Sequence, residues 1–137
     1  MSITFHKEEV NVSLDETSVS SWIILCIKKL KIIHGDISII LCDDDYLKGI
    51  NLEYLNHNYY TDIITFDYSE KDKISGDLFI SIERVKENAE INNVDFINEL
   101  CRVIIHGVLH LCGFNDKTEE EKKEIRHKEN YFLSLIS

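Results

Sequence analysis

Apolar residues along the chain recur with two different periods, and each period predicts a different kind of element. Short segments that are rich in β-branched residues, or that alternate between apolar and polar positions, predict strands. These segments are Ile3 to Glu8, Asp36 to Cys42, Thr61 to Phe66, and Asp77 to Ile82 after a Ser75-Gly76 turn. Segments with apolar residues three or four positions apart predict helices. They run from Thr17 or Ser18 to about Ile33, Asp43 to His57, Arg84 to Asn92, Asp95 to Cys112, and Thr118 to Leu135.

Local signals support several of these ends, and the order of elements predicts the fold class. We expect His34-Gly35 to end the first helix, as glycine often does. Thr118 and Glu121 form a capping-box pattern at the start of the last helix. The mixed order of strands and helices predicts an α+β fold: a single-domain α/β sandwich over residues 1–137, with a small mixed sheet, an edge hairpin and a central helix.

The predicted helix from Asp95 to Cys112 is apolar on nearly every side, so we expect it in the middle of the domain. It carries His106 and His110, which lie four positions apart and therefore on one face. Gly113 can end the helix, and Asp116 follows three residues later. The pattern H-x3-H-x5-D predicts one divalent ion with a free coordination position, as in a catalytic site. The alternative is that each imidazole is only hydrogen-bonded to a backbone carbonyl.

The residue after the first histidine narrows the chemistry. Helical zinc peptidases place a glutamate there as general base, whereas this chain has Gly107. Peptidase chemistry is therefore disfavoured, and we interpret Gly107 as a packing residue that lets another element approach the helix. The spacing leaves the base and the nucleophile undetermined.

Composition and charge limit the classes of function. The chain has 137 residues and a net charge of −10, which gives little non-specific attraction to nucleic-acid phosphates. It has no apolar run near the roughly 20 residues of a membrane span and no signal-peptide pattern. Its four cysteines lie in apolar segments without C-x-x-C spacing, which predicts free thiols and a cytoplasmic protein without membrane partners. Cys112 faces away from His110 on a helix, so we do not expect it as a fourth ligand.

The last predicted helix is strongly charged, with Lys122, Lys123, Arg126 and Lys128 among several glutamates. We interpret this surface as a solvated face with salt bridges, and a specific contact with RNA is the alternative.

Two separated motifs resemble the YbeY family of metal-dependent endoribonucleases. The family pattern H-G-x-L-H-L-x-G-[YFW]-D-H is matched by HGVLHLCGFND at residues 106–116. A second family block, L-N-x-x-Y-R, then P-T-D-V-L-S-F-P, then L-G-D-I-x-I, is matched by INLEYL, YTDIITFD and SGDLFI at residues 50–55, 60–67 and 75–80. The resemblance covers roughly residues 36–135.

This resemblance implies a zinc-dependent endoribonuclease that matures the 3′ end of small-subunit ribosomal RNA and takes part in ribosome quality control. Its partners would be ribosomal RNA, the small ribosomal subunit and ribosome-associated proteins. His106 and His110 match the first two histidine ligands of the family, and Asp116 stands at the third. This ligand set suits zinc, although the carboxylate broadens the choice toward Mn²⁺ or Fe²⁺. We do not expect His127 to substitute for the third histidine.

The chain departs from the family at Leu55, where an arginine is expected. An arginine near the scissile phosphate would stabilise developing charge, so another cation would have to replace it; the candidates are Arg84, Arg102, Lys71 and Lys73. Thr61 and Asp62 of the second block remain as candidate catalytic residues. Asp62 would line the cleft or, alternatively, cap local backbone.

Three functions follow from these observations. The first is metal-dependent RNA cleavage, with a metal-activated water or the RNA 2′-hydroxyl as nucleophile. The second is a non-catalytic ribosome-assembly factor with a structural metal, which Leu55 and the acidic charge favour. The third is a metallohydrolase of a non-nucleic substrate, and Gly107 counts against its peptidase form.

Overall fold

The computed structural model describes residues 2–71 and 73–136, which form a mixed sheet with helices on both faces. In chain order the elements are β1 (Ile3–Lys7), α1 (Glu16–Lys29), β2 (Ile33–Cys42), α2 (Asp44–Leu55), β3 (Ile63–Asp67), β4 (Lys73–Ser81), α3 (Ile82–Asn92), α4 (Phe96–Leu111) and α5 (Glu119–Leu133). The four strands lie in the order β1-β2-β4-β3. The first three in this order are parallel, and β3 pairs antiparallel with β4. The predicted α+β class, mixed sheet and edge hairpin are confirmed.

The alternation of side chains along the strands divides the protein into layers. Ile37, Ile39 and Leu41 of β2 face the larger core, which also contains α1, α4 and the apolar sides of α3 and α5. Cys42 and Ile64 face the opposite side and pack against Leu47 of α2. Helix α4 is buried along most of its length, as predicted from its apolar composition. The central position of α4 fixes both of its histidines relative to the sheet.

Three predicted boundaries are wrong. Helix α1 is capped by Asp15, whose side chain accepts a hydrogen bond from the Ser18 backbone, rather than by Thr17 or Ser18. It ends at Lys29, and Lys31 in the left-handed region (φ 60°) turns the chain. His34-Gly35 therefore lies in β2 rather than at a helix end. The neighbouring strand decides this assignment, because β2 pairs with β4 from Ile33 onward, with an irregularity between His34 and Ile37.

The third wrong boundary is the predicted Ser75-Gly76 turn, which lies within β4. The lack of a side chain at Gly76 allows Phe66 and Leu111 to pack closely against its backbone. A Cβ at this position would be 2.5 Å from the Phe66 carbonyl oxygen and 2.7 Å from Cδ2 of Leu111. Gly107 plays a similar role in α4, because its Cβ would be 2.7 Å from Cδ1 of Ile63 and 3.0 Å from Cδ2 of Leu78. The predicted packing role of Gly107 is thus confirmed.

We expect Gly76→Ala to lower the free energy of unfolding by about 1–3 kcal/mol, because the added methyl overpacks against a backbone oxygen that cannot move alone. Gly49→Ala is the matched control. Gly49 lies within α2 with nothing within 4 Å of an added Cβ, so alanine should raise stability by up to about 1 kcal/mol through helix propensity. Denaturant unfolding of both variants measures the difference. A Gly76→Ala protein as stable as the wild type would contradict the close approach of Phe66 and Leu111 to Gly76.

Candidate metal centre and adjoining cavity

The three side chains of the H-x3-H-x5-D pattern converge at the C-terminal end of α4. The Nε2 atoms of His106 and His110 are 3.0 Å apart. Oδ2 of Asp116 lies 3.5 Å from Nε2 of His106 and 3.3 Å from Nε2 of His110. Among the described residues, these three form the one group of His, Cys, Asp or Glu side chains suited to hold a metal ion.

The loop after α4 brings Asp116 to the histidines. Gly113 adopts the left-handed conformation (φ 97°), and its N–H donates to the His110 carbonyl. The Phe114 N–H donates to the Leu109 carbonyl. These two bonds form a Schellman motif, which ends the helix and reverses the chain. The predicted capping box at Thr118 and Glu121 is confirmed and starts α5 immediately afterwards. Two local motifs thus hold Asp116 in a short, fixed connection.

The distances fit a tetrahedral ion. Ligand atoms about 2.0–2.2 Å from tetrahedral zinc stand about 3.3–3.6 Å apart. Both distances to Asp116 fall in this range, and the histidine pair stands a few tenths of an ångström inside it. Two imidazole nitrogens and one carboxylate oxygen suit Zn²⁺ and also accept Mn²⁺ or Fe²⁺. The donor set therefore fits the metal that the spacing predicted.

Glu129, a residue that the sequence did not reveal, orients His106. Its Oε2 lies 2.7 Å from Nδ1 of His106, and its Oε1 accepts a bond of 3.0 Å from Nη1 of Arg102. Glu129 is only 4% exposed, although it belongs to the charged helix α5. One pattern in the sequence could have identified Glu129: its spacing from Ile125 and Phe132 places a carboxylate on the apolar face of α5. Carboxylate–histidine–metal arrangements of this kind fix the orientation of the ligand imidazole.

Electrostatics favour an ionised Glu129 and a proton on Nδ1 of His106. Burial is the largest influence on the pKa of His106 and lowers it. The hydrogen bond and charge of Glu129, with the charges of Asp116 and Asp62, nevertheless raise this pKa above 6.5. Burial also acts on Glu129, but its bonds to His106 and Arg102 hold its pKa below 4.5. Because an ionised carboxylate only accepts, Nδ1 of His106 is the donor and its Nε2 faces His110 and Asp116.

A cavity of about 360 Å³ opens beside His106 and Asp116 and has walls of both charges. Its cationic residues are Arg102, Lys122 and Arg126; its acidic residues, besides Asp116, are Asp62, Glu99 and Glu129. Asp62 thus lies in the cleft, as one of its two interpretations predicted, whereas Thr61 is not among the lining residues. Glu99 is 6% exposed, and burial raises its pKa. Sequence reasoning did not single out Glu99.

Of the four cations considered as replacements for the family arginine, Arg102 lines this cavity. Arg84 instead bonds to Asp44 at 2.9 Å and lies over the ring of Tyr60. Lys71 lies in the β3–β4 connection and Lys73 is the first residue of β4; neither lines the cavity. Leu55 is the last residue of α2, is 43% exposed and does not line the cavity.

The cysteines are free thiols in the part of the chain that the structure describes, as predicted. Cys112 is not in the ligand group, and burial raises the pKa of its thiol to about 12. His127 is not in the group either. No helix within residues 2–71 and 73–136 is both long and apolar enough to cross a bilayer.

Comparisons with known proteins agree with the motifs. A family model described as Endoribonuclease YbeY matches residues 2–137. A Parabacteroides distasonis protein named Endoribonuclease YbeY is 45% identical over 137 residues, covering 99% of this chain and 96% of its own. A protein of the same name from Christiangramia forsetii is 49% identical over 134 residues, covering 98% and 94%. A solution structure from Thermotoga maritima superposes with a TM-score of 0.69 at 26% identity, covering 96% of this chain and 87% of that one. With a match over nearly its whole length and relatives at this identity, the chain belongs to the YbeY family.

Proposed function

We propose that this protein is a metal-dependent endoribonuclease that matures ribosomal RNA at the 3′ end of the small-subunit RNA and acts in ribosome quality control. The name shared by its relatives supports endoribonuclease activity. The observation that carries the proposal is the convergence of His106, His110 and Asp116 at the edge of a cavity that also contains cations. A metal at such a position, reached by solvent and flanked by Lys and Arg, suits a phosphodiester.

The proposal extends to the cofactor, the partners and the extent of the unit. Residues 1–137 would form one domain that holds one zinc ion, with Mn²⁺ or Fe²⁺ as replacements. The substrate would be ribosomal RNA on the small subunit in the cytoplasm, with ribosome-associated proteins as further partners. The net charge of −10 gives the whole protein little attraction for RNA. We therefore expect the small subunit or its associated proteins to present the RNA to the site.

Each residue of the site has a separate part in this chemistry. A bound divalent ion would supply a Lewis acid for the phosphoryl group and acidify a water molecule. His106, His110 and Asp116 would hold this ion, and Glu129 would keep His106 in the correct tautomer and orientation. Asp62 is the cavity carboxylate best suited to accept a proton from the attacking hydroxyl. Glu129 is bonded to His106 and Arg102, and Glu99 is only 6% exposed, whereas Asp62 is half-buried.

A cleavage assay with end-group analysis tests this function. We expect zinc-loaded protein to cut a small-subunit RNA fragment, a chelator to stop the cleavage, and added zinc to restore it. A 2′,3′-cyclic phosphate at the product end would identify the 2′-hydroxyl as nucleophile, whereas a 5′-phosphate and a 3′-hydroxyl would identify water. Zinc-loaded protein that binds the fragment without cutting it would favour the assembly-factor function instead. Protein that neither binds nor cuts RNA would leave a non-nucleic substrate.

A further inference from the structure

We infer that Arg126 and Lys122 of α5 form the phosphate-binding wall of the cavity. This inference rests on the proposed endoribonuclease function and names how its substrate is held. It also replaces the interpretation of the charged side of α5 as a purely solvated face.

The positions of the two residues place them beside the metal ligands. Lys122, Arg126 and Glu129 follow one another at i, i+4 and i+7, so they lie along one face of α5. All three line the cavity together with His106 and Asp116. Because Glu129 contacts His106 directly, the same face of α5 both orients a ligand and presents cations to the space in front of it.

The existing contacts of the cations decide which are available to a substrate. Arg102 is 22% exposed and donates to both Glu129 and Asn130, at 3.0 and 2.9 Å, so it is committed to the protein. Arg126 is 62% exposed, and within the described residues its ion pair is with Glu129, at a long 3.7 Å. Lys122 is 56% exposed and pairs at 3.6 Å with Glu119, which is itself 85% exposed. The exposed Lys122–Glu119 pair contributes little, and the Arg126–Glu129 contact is longer than a normal hydrogen bond. Both cationic side chains can therefore turn toward a phosphate.

The charge of the remaining cavity makes such cations necessary. Asp62 and Glu99 also line the cavity and would repel a phosphodiester. A guanidinium can bind two phosphate oxygens at once, and a lysine adds a mobile positive charge. A phosphate bound between the metal ligands and α5 would therefore meet Arg126 and Lys122 first, with Arg102 behind them.

Binding of a 2′-O-methylated single-stranded RNA to zinc-loaded protein tests this inference. We expect Arg126→Gln to weaken binding roughly tenfold and to reduce the slope of log affinity against log salt concentration by about 0.7. Lys122→Gln should change the slope similarly with a smaller loss of affinity. Arg126→Lys should keep the slope while losing part of the affinity, because it retains the charge but not the fork of donors. Zinc content should stay at the wild-type value in all three variants.

Lys123→Gln is the matched control, because Lys123 is exposed on the same helix and does not line the cavity. An equal loss in Lys123→Gln would overturn the inference in favour of general charge. Loss of zinc in Arg126→Gln, with Lys122→Gln unchanged in slope, would overturn it in favour of a purely structural role through Glu129. Wild-type affinity and slope in both cavity variants, with the wild type cutting RNA, would overturn the inference alone. A wild type that neither binds nor cuts RNA would overturn the proposed function as well.

Discussion

Replacing Asp116 with alanine is expected to remove the bound metal and to abolish RNA cleavage. Oδ2 of Asp116 lies 3.5 and 3.3 Å from the two histidine nitrogens, so the variant keeps only two of three ligand atoms. Loss of an outer-shell partner typically lowers metal affinity about 10–100-fold, and loss of a direct ligand should exceed this. The metal content per chain, measured after purification without a chelating tag, gives the result directly.

Two further variants control this experiment. Asp116→His restores the residue of the YbeY pattern and should retain zinc and activity. Glu119→Ala removes a carboxylate that is 85% exposed and should change neither. Added zinc should raise the melting temperature of the wild type and of Asp116→His, because a ligand that binds only the folded state stabilises it. It should not do so for Asp116→Ala. An Asp116→Ala protein with the full complement of zinc would refute the His-His-Asp site.

Glu129→Gln is expected to lower zinc affinity about 10–100-fold while leaving all three ligands in place. Glutamine has nearly the shape of glutamate, so the variant tests the buried negative charge that holds His106 and Arg102. It should also lower the free energy of unfolding of the metal-free protein by about 1–3 kcal/mol, because Arg102 loses a charged acceptor. Competition with a chelator of known affinity measures zinc binding, and denaturant unfolding measures stability.

The effect on stability should depend on pH with a definite sign. The pKa of Glu129 is below 4.5 in the folded protein, so its ionisation stabilises the fold above pH 4.5. This contribution is lost as the pH falls toward the lowered pKa. Glu129→Gln should therefore differ most from the wild type at neutral pH and converge with it in acid. Glu124→Gln, an exposed change on the same helix, is the control. Unchanged zinc affinity in Glu129→Gln would show that His106 needs no carboxylate partner.

The errors in the predicted elements share one physical cause. Helix α4 and the start of α5 were predictable, because apolar spacing, the glycine after the second histidine and the capping box all act within a few residues. The end of α1 could not be predicted in this way. Ile33 to Gly35 belong to β2 because this segment pairs with β4, about forty residues further along the chain. For the same reason, local sequence predicts a turn at Gly76, which lies within β4. A glycine that admits Leu111 of another element has no local signature that separates it from a turn glycine.

By itself, the sequence determined the candidate metal ligands, because His106, His110 and Asp116 lie within eleven residues and one helix end brings them together. It also determined the family, since both motifs can be recognised as short sequence patterns without the structure. Only the tertiary structure decided what surrounds the ligands. Glu129 reaches His106, and Arg126 and Lys122 enter the cavity, because α5 packs back across α4. The spacing of residues on one helix carries no information about which face of a second helix it will meet, and that contact sets the charge of this site.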